Sequence, residues 1–194
     1  MRITGGILRG RRIKIPGGGV RPTQDRVRAA LFSILGPSVQ GRRFLDLFAG
    51  SGAVGLEAWS RGASETAWVE RDPRAARVLR GNIQALCDGR AMVFVMDVFC
   101  FLQKKIAGGR FGVIFCDPPY ETLSRPGGIG KLLDAVSESD LIEKDGIVVV
   151  EHGPRAVLSP LTGWGIFDER VYGDARLAFF RRAQGRSGQC GTQG

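Results

Sequence analysis

A chain of 194 residues suits one domain with a substantial buried core and a small appendage. No apolar run approaches the ~18 residues of a transmembrane helix, and the N-terminus lacks the apolar segment of a signal peptide. Four cysteines without a CxxC pair and a single histidine argue against a disulfide framework, a zinc cluster and a histidine-based triad. We therefore expect a cytoplasmic protein without a metal.

The excess charge lies entirely at one end of the chain. The formal net charge is +9, and residues 1–43 hold ten basic residues against Asp25 alone, whereas residues 44–194 are balanced. This basic segment also carries strand and helix patterns, which favours an arm that binds a polyanion, such as nucleic acid, over a solvated tail. The expected phosphate contacts are Arg9, Arg11, Arg12, Lys14 and Arg21.

Residues 1–20 are predicted to form a basic hairpin extension. Two apolar runs, 7–8 and 13–15, flank a basic turn at 9–12, and glycines 17–19 provide a link to the next element. That element is a predicted helix over 23–35, with Thr23 as its N-cap and apolar residues at helical spacing.

Residues 21–182 are predicted to form one α/β domain. From residue 43 the pattern alternates, which implies a parallel sheet with helices on both faces. The predicted strands are 43–48, 65–70, 92–97, 111–116 and 146–151, the helices 53–61, 73–87, 98–106 and 131–138, and the closing antiparallel pair 164–172 and 175–182. The polar residues 183–194 are expected to be a disordered tail.

A glycine-rich turn follows the first strand of the domain. Its sequence, Asp46-Leu47-Phe48-Ala49-Gly50-Ser51-Gly52, allows a ligand to approach the backbone closely. With Gly55 it also matches a dinucleotide fingerprint, so a hydride-transferring oxidoreductase is a rival interpretation. However, the charge of Asp46 would repel a diphosphate and attract the cationic sulfonium or ammonium of S-adenosylmethionine (SAM). The predicted cofactor contacts here are Asp46, Phe48, Ala49, Gly50, Ser51 and Gly52.

Acidic residues end the next two strands. Glu70 can accept from two ribose hydroxyls with Arg71 beside the adenosine, and Asp97 can accept from the adenine amino group with Val98 against the ring. Ligands of open α/β sheets bind at the carboxyl ends of the strands, so these residues extend the predicted SAM site.

The tetrapeptide Asp117-Pro118-Pro119-Tyr120 follows an apolar strand and is the predicted catalytic motif. Neither proline can donate to a β-ladder, so the strand ends there. The amino group of guanine or adenine is a poor nucleophile and needs acceptors for its N–H groups. Asp117 offers a carboxylate, Pro118 a backbone carbonyl and Tyr120 a flat face for an extruded base. These residues do not distinguish guanine N2 from adenine N6.

Taken together, these motifs resemble those of the bacterial 16S ribosomal RNA guanine-N2 methyltransferases over about residues 3–182. The resemblance is carried by an N-terminal block, the glycine-rich turn and late motifs. They are Thr4-Gly5-Gly6, Arg9-Gly10-Arg11, Arg21-Pro22-Thr23, Asp25-Arg26-Val27-Arg28, Leu31-Phe32, residues 46–52, Gly55-Leu56-Glu57-Ala58, Glu70, Asp72, Asn82, Asp117-Pro118-Pro119-Tyr120 and Val171-Tyr172-Gly173-Asp174.

The resemblance implies a Rossmann-like SAM-dependent methyltransferase fold: a seven-stranded, mostly parallel sheet whose last strand is antiparallel, with an N-terminal basic β-hairpin. It implies methylation of one guanine N2 in 16S ribosomal RNA, on the small ribosomal subunit or its assembly intermediate, by a protein expected to be monomeric. The alternatives are an adenine-N6 methyltransferase acting on nucleic acid and a non-catalytic RNA-binding assembly factor.

Overall fold

The computed structural model describes residues 1–17, 22–87, 91–104, 108–123, 127–156 and 161–183, without the side chains of 22–24 and 120. Seven strands alternate with helices as the pattern predicts. The strands are β1 (Arg43–Leu47), β2 (Glu65–Glu70), β3 (Ala91–Val95), β4 (Phe111–Cys116), β5 (Ile142–His152), β6 (Trp164–Tyr172) and β7 (Ala175–Arg182). The helices are α1 (Pro22–Leu35), α2 (Ala53–Ser60), α3 (Pro73–Leu86), α4 (Val98–Lys104), α5 (Tyr120–Leu123) and α6 (Gly128–Ser139), and a 3-10 turn (Gly36–Val39) follows α1.

The strands form one sheet in the order β3-β2-β1-β4-β5-β7-β6. Neighbours from β3 to β5 are parallel, and β7 runs antiparallel to both β5 and β6. The predicted seven-stranded, mostly parallel sheet with an antiparallel last strand is therefore confirmed. The order reverses beside β1, and crevices at such a point bind ligands in doubly wound sheets.

Apolar side chains cover both faces of the sheet because side chains alternate along each strand. Leu45 and Ile114 pack with α4 and α6, whereas Phe44 and Val113 pack with α1 on the opposite face. No helix within the described ranges is long and apolar enough to cross a membrane.

The N-terminal arm, residues 1–17, differs from the predicted hairpin. Its only β-bridge joins Arg2 to Arg12, so the paired segments are 1–3 and 11–13, and the 7–8 run lies in the turn between them. Gly6, at a φ of +75°, turns the chain before Ile7, which is 83 % exposed. The prediction placed the apolar run 7–8 in a strand, but Ile7 is exposed in the turn and does not belong to the core.

The arm is packed onto the domain rather than extending from it. Ile3 and Ile13 are buried in a cluster with Leu56, Trp68 and Leu79. The arm and the domain therefore share a hydrophobic core. The division of the chain into residues 1–20 and 21–182 stays a prediction.

The other differences lie at the ends of elements. Helix α1 begins at Pro22, so Thr23 is inside the helix and not its N-cap, as proline is favoured in the first helical turn. Strand β5 begins at Ile142, four residues before the predicted start, and α5 lies between the predicted strand 111–116 and the predicted helix 131–138. The tail from residue 184 lies outside the described residues.

Candidate functional site

Two adjoining cavities lie at the carboxyl edge of the sheet. The larger, of about 460 Å³, lies over the ends of β2, β3 and β4. The smaller, of about 250 Å³, lies over the glycine-rich turn beneath the arm and α1. Phe48, Asp117 and Glu151 line both cavities and mark their junction. Phe48 has a φ of +64°, a backbone conformation that costs a non-glycine residue energy and that clusters at functional sites.

The three glycines of the turn have different roles. A Cβ on Gly50 would meet no atom within 4 Å, so this residue leaves open space in the smaller cavity. A Cβ on Gly52 would lie 2.2 Å from a Leu79 methyl, and one on Gly55 would lie 2.2 Å from the Trp68 indole nitrogen. Gly50 therefore leaves room for a ligand against the backbone. Gly52 and Gly55 permit close packing, and Gly52 lies at the N-cap of α2, outside both cavity linings.

Asp46 lies beneath this turn. Its buried carboxylate accepts the Gly55 backbone N–H at 2.9 Å, in the first turn of α2. Burial raises the pKa of Asp46 well above the usual aspartate range, while the Gly55 bond opposes this shift. In a dinucleotide site the helix N-terminus faces a diphosphate. Here a carboxyl group occupies part of that terminus, which disfavours the oxidoreductase interpretation.

Glu70 and Asp97 lie in the larger cavity with Arg71 and Val98, as the sequence predicts for the adenosine side. Glu70 accepts the backbone N–H groups of Gly50 at 2.8 Å and Asp72 at 2.7 Å. Asp97 caps α4 by accepting N–H groups from residues 99 and 100. These bonds fix both carboxylates while leaving lone pairs for a ligand.

Asp117 and Glu151 form a second pair of acids at the junction of the cavities. The register pairs Cys116 with Val150, which brings the following residues side by side on β4 and β5. Asp117 has an exposed surface in the crevice, but the protein atoms around its carboxyl group desolvate it and raise its pKa to about 6. Burial, and then the charge of Asp117, raise the pKa of Glu151 as well.

Glu151 is a site residue that the sequence reasoning missed. It ends an apolar strand, which is the signal that identified Glu70 and Asp97, and that signal would have found it too. The arm and α1 also line the smaller cavity, with Met1, Ile15, Pro16, Val27, Arg28 and Leu31. No local pattern could have assigned these residues, since the fold brings them to the site.

The structure brings most other predicted site residues together. Pro118 and Pro119 line the larger cavity, and Ala49 and Ser51 the smaller. Tyr120 begins α5, beside these prolines in the chain, and its side chain lies outside the described part of the structure. Arg9, Arg11, Arg12 and Lys14 are exposed on the arm, whereas Arg21 lies outside the described residues.

The basic side chains of the arm remain available to a ligand. Within the described ranges, the side chains of Arg9, Arg11, Arg12 and Lys14 form no hydrogen bond or ion pair, in contrast to Arg28, which bonds to Asp25 at 3.0 Å and Glu57 at 3.2 Å. Arg28 therefore has a structural role within the protein, whereas the four basic side chains of the arm have no partner among the described residues.

The crevice suits SAM. Its acids match a cation, Gly50 leaves the backbone open, and Glu70 and Asp97 present fixed acceptors for hydroxyl and amino donors. A seven-stranded sheet of this order with such a crevice defines a SAM-dependent methyltransferase.

Comparison with known proteins gives the same class. A solved Escherichia coli structure, "Putative methyltransferase yhhF", is 33% identical, has a TM-score of 0.82, and aligns over 94% of this chain and 97% of its own. Hypothetical protein TTHA0928 of Thermus thermophilus is 38% identical at a TM-score of 0.76, over 93% of this chain and 99% of its own. "Ribosomal RNA small subunit methyltransferase D" of E. coli strain K12 is 34% identical over 96% of this chain and 93% of its own.

The family model Conserved hypothetical protein 95 matches residues 1–181. The chain belongs to this family. The match begins at the first residue, so the arm belongs to the family pattern together with the methyltransferase sheet.

Proposed function

We propose that this protein transfers a methyl group from SAM to the exocyclic N2 of a guanine in small-subunit ribosomal RNA. One observation carries the proposal: the smaller cavity is bordered by the glycine-rich turn, by Asp117 and by the ends of an arm whose four exposed cations pair with no described residue. A relative of similar length is named as a small-subunit ribosomal RNA methyltransferase, which supports this substrate class.

In this proposal the cofactor lies across both cavities. Gly50 and the neighbouring turn would face its amino-acid part, and Glu70 and Asp97 would accept from its ribose and adenine. When bound, SAM supplies an electrophilic methyl group on a sulfonium. The acids around the crevice favour that positive charge and repel anionic ligands.

Asp117 and Pro118 would hold the reacting amine. The carboxylate of Asp117 and the backbone carbonyl of Pro118 accept its two N–H groups, which orients the nitrogen lone pair. As the N–C bond forms and the S–C bond breaks, the nitrogen must lose one proton. Asp117, with its pKa near 6, can accept that proton and release it to water. Tyr120 would provide the surface on which the extruded base stacks.

The arm would bind the RNA backbone next to this crevice. Arg9, Arg11, Arg12, Lys14 and Arg21 are the proposed phosphate contacts, because free exposed cations neutralise phosphate charge. The proposal places the protein in the cytoplasm, as a monomer acting on 16S ribosomal RNA in the small subunit or its assembly intermediate.

A single assay tests the reaction. Small ribosomal subunits lacking the modification are incubated with SAM labelled on its methyl group, and the RNA is digested to nucleosides. We expect label in N2-methylguanosine and none in N6-methyladenosine. Asp117→Ala should reduce transfer by about 10²- to 10³-fold, as the loss of a hydrogen-bonding group used in the transition state does.

Calorimetry with SAM is the control, since Asp117→Ala should still bind it. Asp46→Ala and Glu70→Ala should instead weaken SAM binding. Label in N6-methyladenosine would favour the adenine enzyme, and RNA binding without transfer would favour the assembly factor. Saturable NADH binding without SAM binding would revive the oxidoreductase.

A further inference from the structure

The acids of the crevice fall into two groups by their hydrogen bonds. Asp46, Glu70 and Asp97 each accept at least one backbone N–H. Asp117 and Glu151 accept a hydrogen bond from no other residue of the described ranges. Backbone bonds fix the first group in place, whereas the second has acceptor positions that no described residue occupies.

The sheet order separates these groups in space. The acids expected to face SAM follow β3 and β2 or lie in β1, and the remaining two follow β4 and lie on β5. Glu151 is thus beyond Asp117 from the cofactor side of the crevice. It is half-buried and lines both cavities. A base whose amine meets Asp117 would present its neighbouring ring edge to Glu151.

The two candidate bases differ at that edge. The amino group of guanine is adjacent to the ring N1–H, a donor, whereas the amino group of adenine is adjacent to an unprotonated N1, an acceptor. Asp117 and the Pro118 carbonyl present acceptors, and above a pH of about 8, where Glu151 is ionised, its carboxylate also presents acceptors only. Three contiguous donors, N1–H and the two N–H groups of N2, complement this set.

We propose that Glu151 is a specificity-determining residue that accepts the hydrogen bond of the guanine ring N1–H. This inference rests on the proposed function, and it explains why the site would select guanine over adenine. A base with a lone pair at N1 would face the lone pairs of Glu151, and sites built to pair a polar group reject analogues that lack it.

The test exchanges the donor on the base as well as the acceptor on the protein. A fragment of small-subunit ribosomal RNA is assembled by ligation with guanine or 2-aminopurine at the methylated position. 2-Aminopurine keeps the amine at C2 and has a lone pair at N1. The assay is run at pH 8.5, because burial and Asp117 raise the pKa of Glu151 to about 8.

We expect Glu151→Ala to lower kcat/KM on the guanine RNA by about 10- to 100-fold, the range for a hydrogen bond to a charged group. On the 2-aminopurine RNA the same variant should change kcat/KM by less than about threefold, because no N1–H bond exists to lose. Glu151→Gln should raise the 2-aminopurine rate above that of the natural protein, since the amide can donate to N1.

Asp97→Asn is the matched control at the opposite side of the crevice. It should weaken SAM binding by calorimetry and lower both RNA rates by the same factor. Glu151→Ala should instead lower the guanine rate far more than the 2-aminopurine rate, because any change in SAM binding is common to both RNAs. An equal loss on both RNAs for Glu151→Ala would overturn the inference and leave the proposed function intact. Absence of transfer to N2 of guanine by the natural protein would overturn both.

Discussion

At the scale of single residues, the protonation of Asp117 connects stability with catalysis. Its folded-state pKa of about 6 lies above the value near 4 of an unfolded aspartate. The folded state therefore binds more protons between these values. The contribution of this group to stability is full below about pH 4 and is lost as the pH rises through 6, the range in which the carboxylate that the proposed transfer requires appears.

Asp117→Asn separates these effects. We expect the variant to have a higher Tm than the natural protein at pH 7.5 and the same Tm near pH 4, because the amide does not ionise. Methyl transfer should be lost at both pH values. The activity of the natural protein should rise with pH through about 6, where Asp117 ionises, and again through about 8, where Glu151 ionises. Thermal unfolding and the labelled assay across pH 4–9 provide the measurements. A lower Tm for the variant at pH 7.5 would contradict the assignment.

The glycines of the turn give a second test at this scale. Gly55→Ala places a Cβ 2.2 Å from the Trp68 indole, so stability should fall by about 1–3 kcal/mol, as overpacking does. Gly50→Ala meets no atom but retains a φ of +55°, at a cost of about 1–2 kcal/mol. Denaturant titration and calorimetry should show SAM binding lost in the Gly50 variant even where it is fully folded.

At the scale of elements, the join between the arm, α1 and α2 depends on Glu57. This fully buried carboxylate accepts the backbone N–H and the hydroxyl of Thr4 at 2.8 and 2.7 Å. It also accepts from Arg28 and from Arg61, at 3.2 and 2.9 Å. Three segments far apart in sequence thus share one acid, which holds the arm at the site.

Removing that acid should be costly. Glu57→Ala leaves Arg28 without the buried member of its two ion pairs, and the penalty for such a broken buried pair is about 3–5 kcal/mol. Denaturant unfolding measures this loss. Asp25→Ala is the control because Asp25 is partly exposed and contributes the outer ion pair of the same arginine. Equal losses in the two variants would mean that the Glu57 network does not organise the join.

At the scale of the whole molecule, the uneven charge predicts how RNA binds. Substituting Arg9, Arg11, Arg12 and Lys14 with glutamine removes four free cations and keeps the buried Ile3 and Ile13, which truncation would not. Each phosphate contact contributes about −0.7 to −0.9 to the slope of log K against log salt, so the slope should flatten by about two to three units.

Substitution of Arg170 and Arg181 is the control, because these residues lie on β6 and β7, at the other end of the sheet. Their loss should change the salt slope little. If the four arm substitutions left the slope unchanged, the RNA surface would have to be sought elsewhere on the protein.

Much of this organisation could be predicted from the sequence where local chemistry decides the structure. The strands around residues 43–48 and 111–116 were predicted because buried parallel strands have continuous apolar runs, and their carboxyl ends located Asp46 and Asp117. The path of the arm was not predictable. Its pairing depends on Ser60, which accepts the Ile7 N–H through its carbonyl and the Leu8 N–H through its hydroxyl, and on Glu57, both remote in sequence.

Asn82 on α3 links the arm to the glycine-rich turn, and this link has a thermodynamic consequence. Its buried amide donates to the carbonyls of Lys14 and Ser51, both at 2.9 Å, and accepts the Lys14 N–H at 3.0 Å. One side chain thus joins the arm that is proposed to bind RNA to the glycine-rich turn that is proposed to bind the cofactor. If ordering of either segment favours the other, the two ligands must enhance each other by the same factor, whichever binds first. We expect S-adenosylhomocysteine to tighten RNA binding several-fold, and Asn82→Ala to abolish that enhancement, in filter-binding assays with and without the cofactor product.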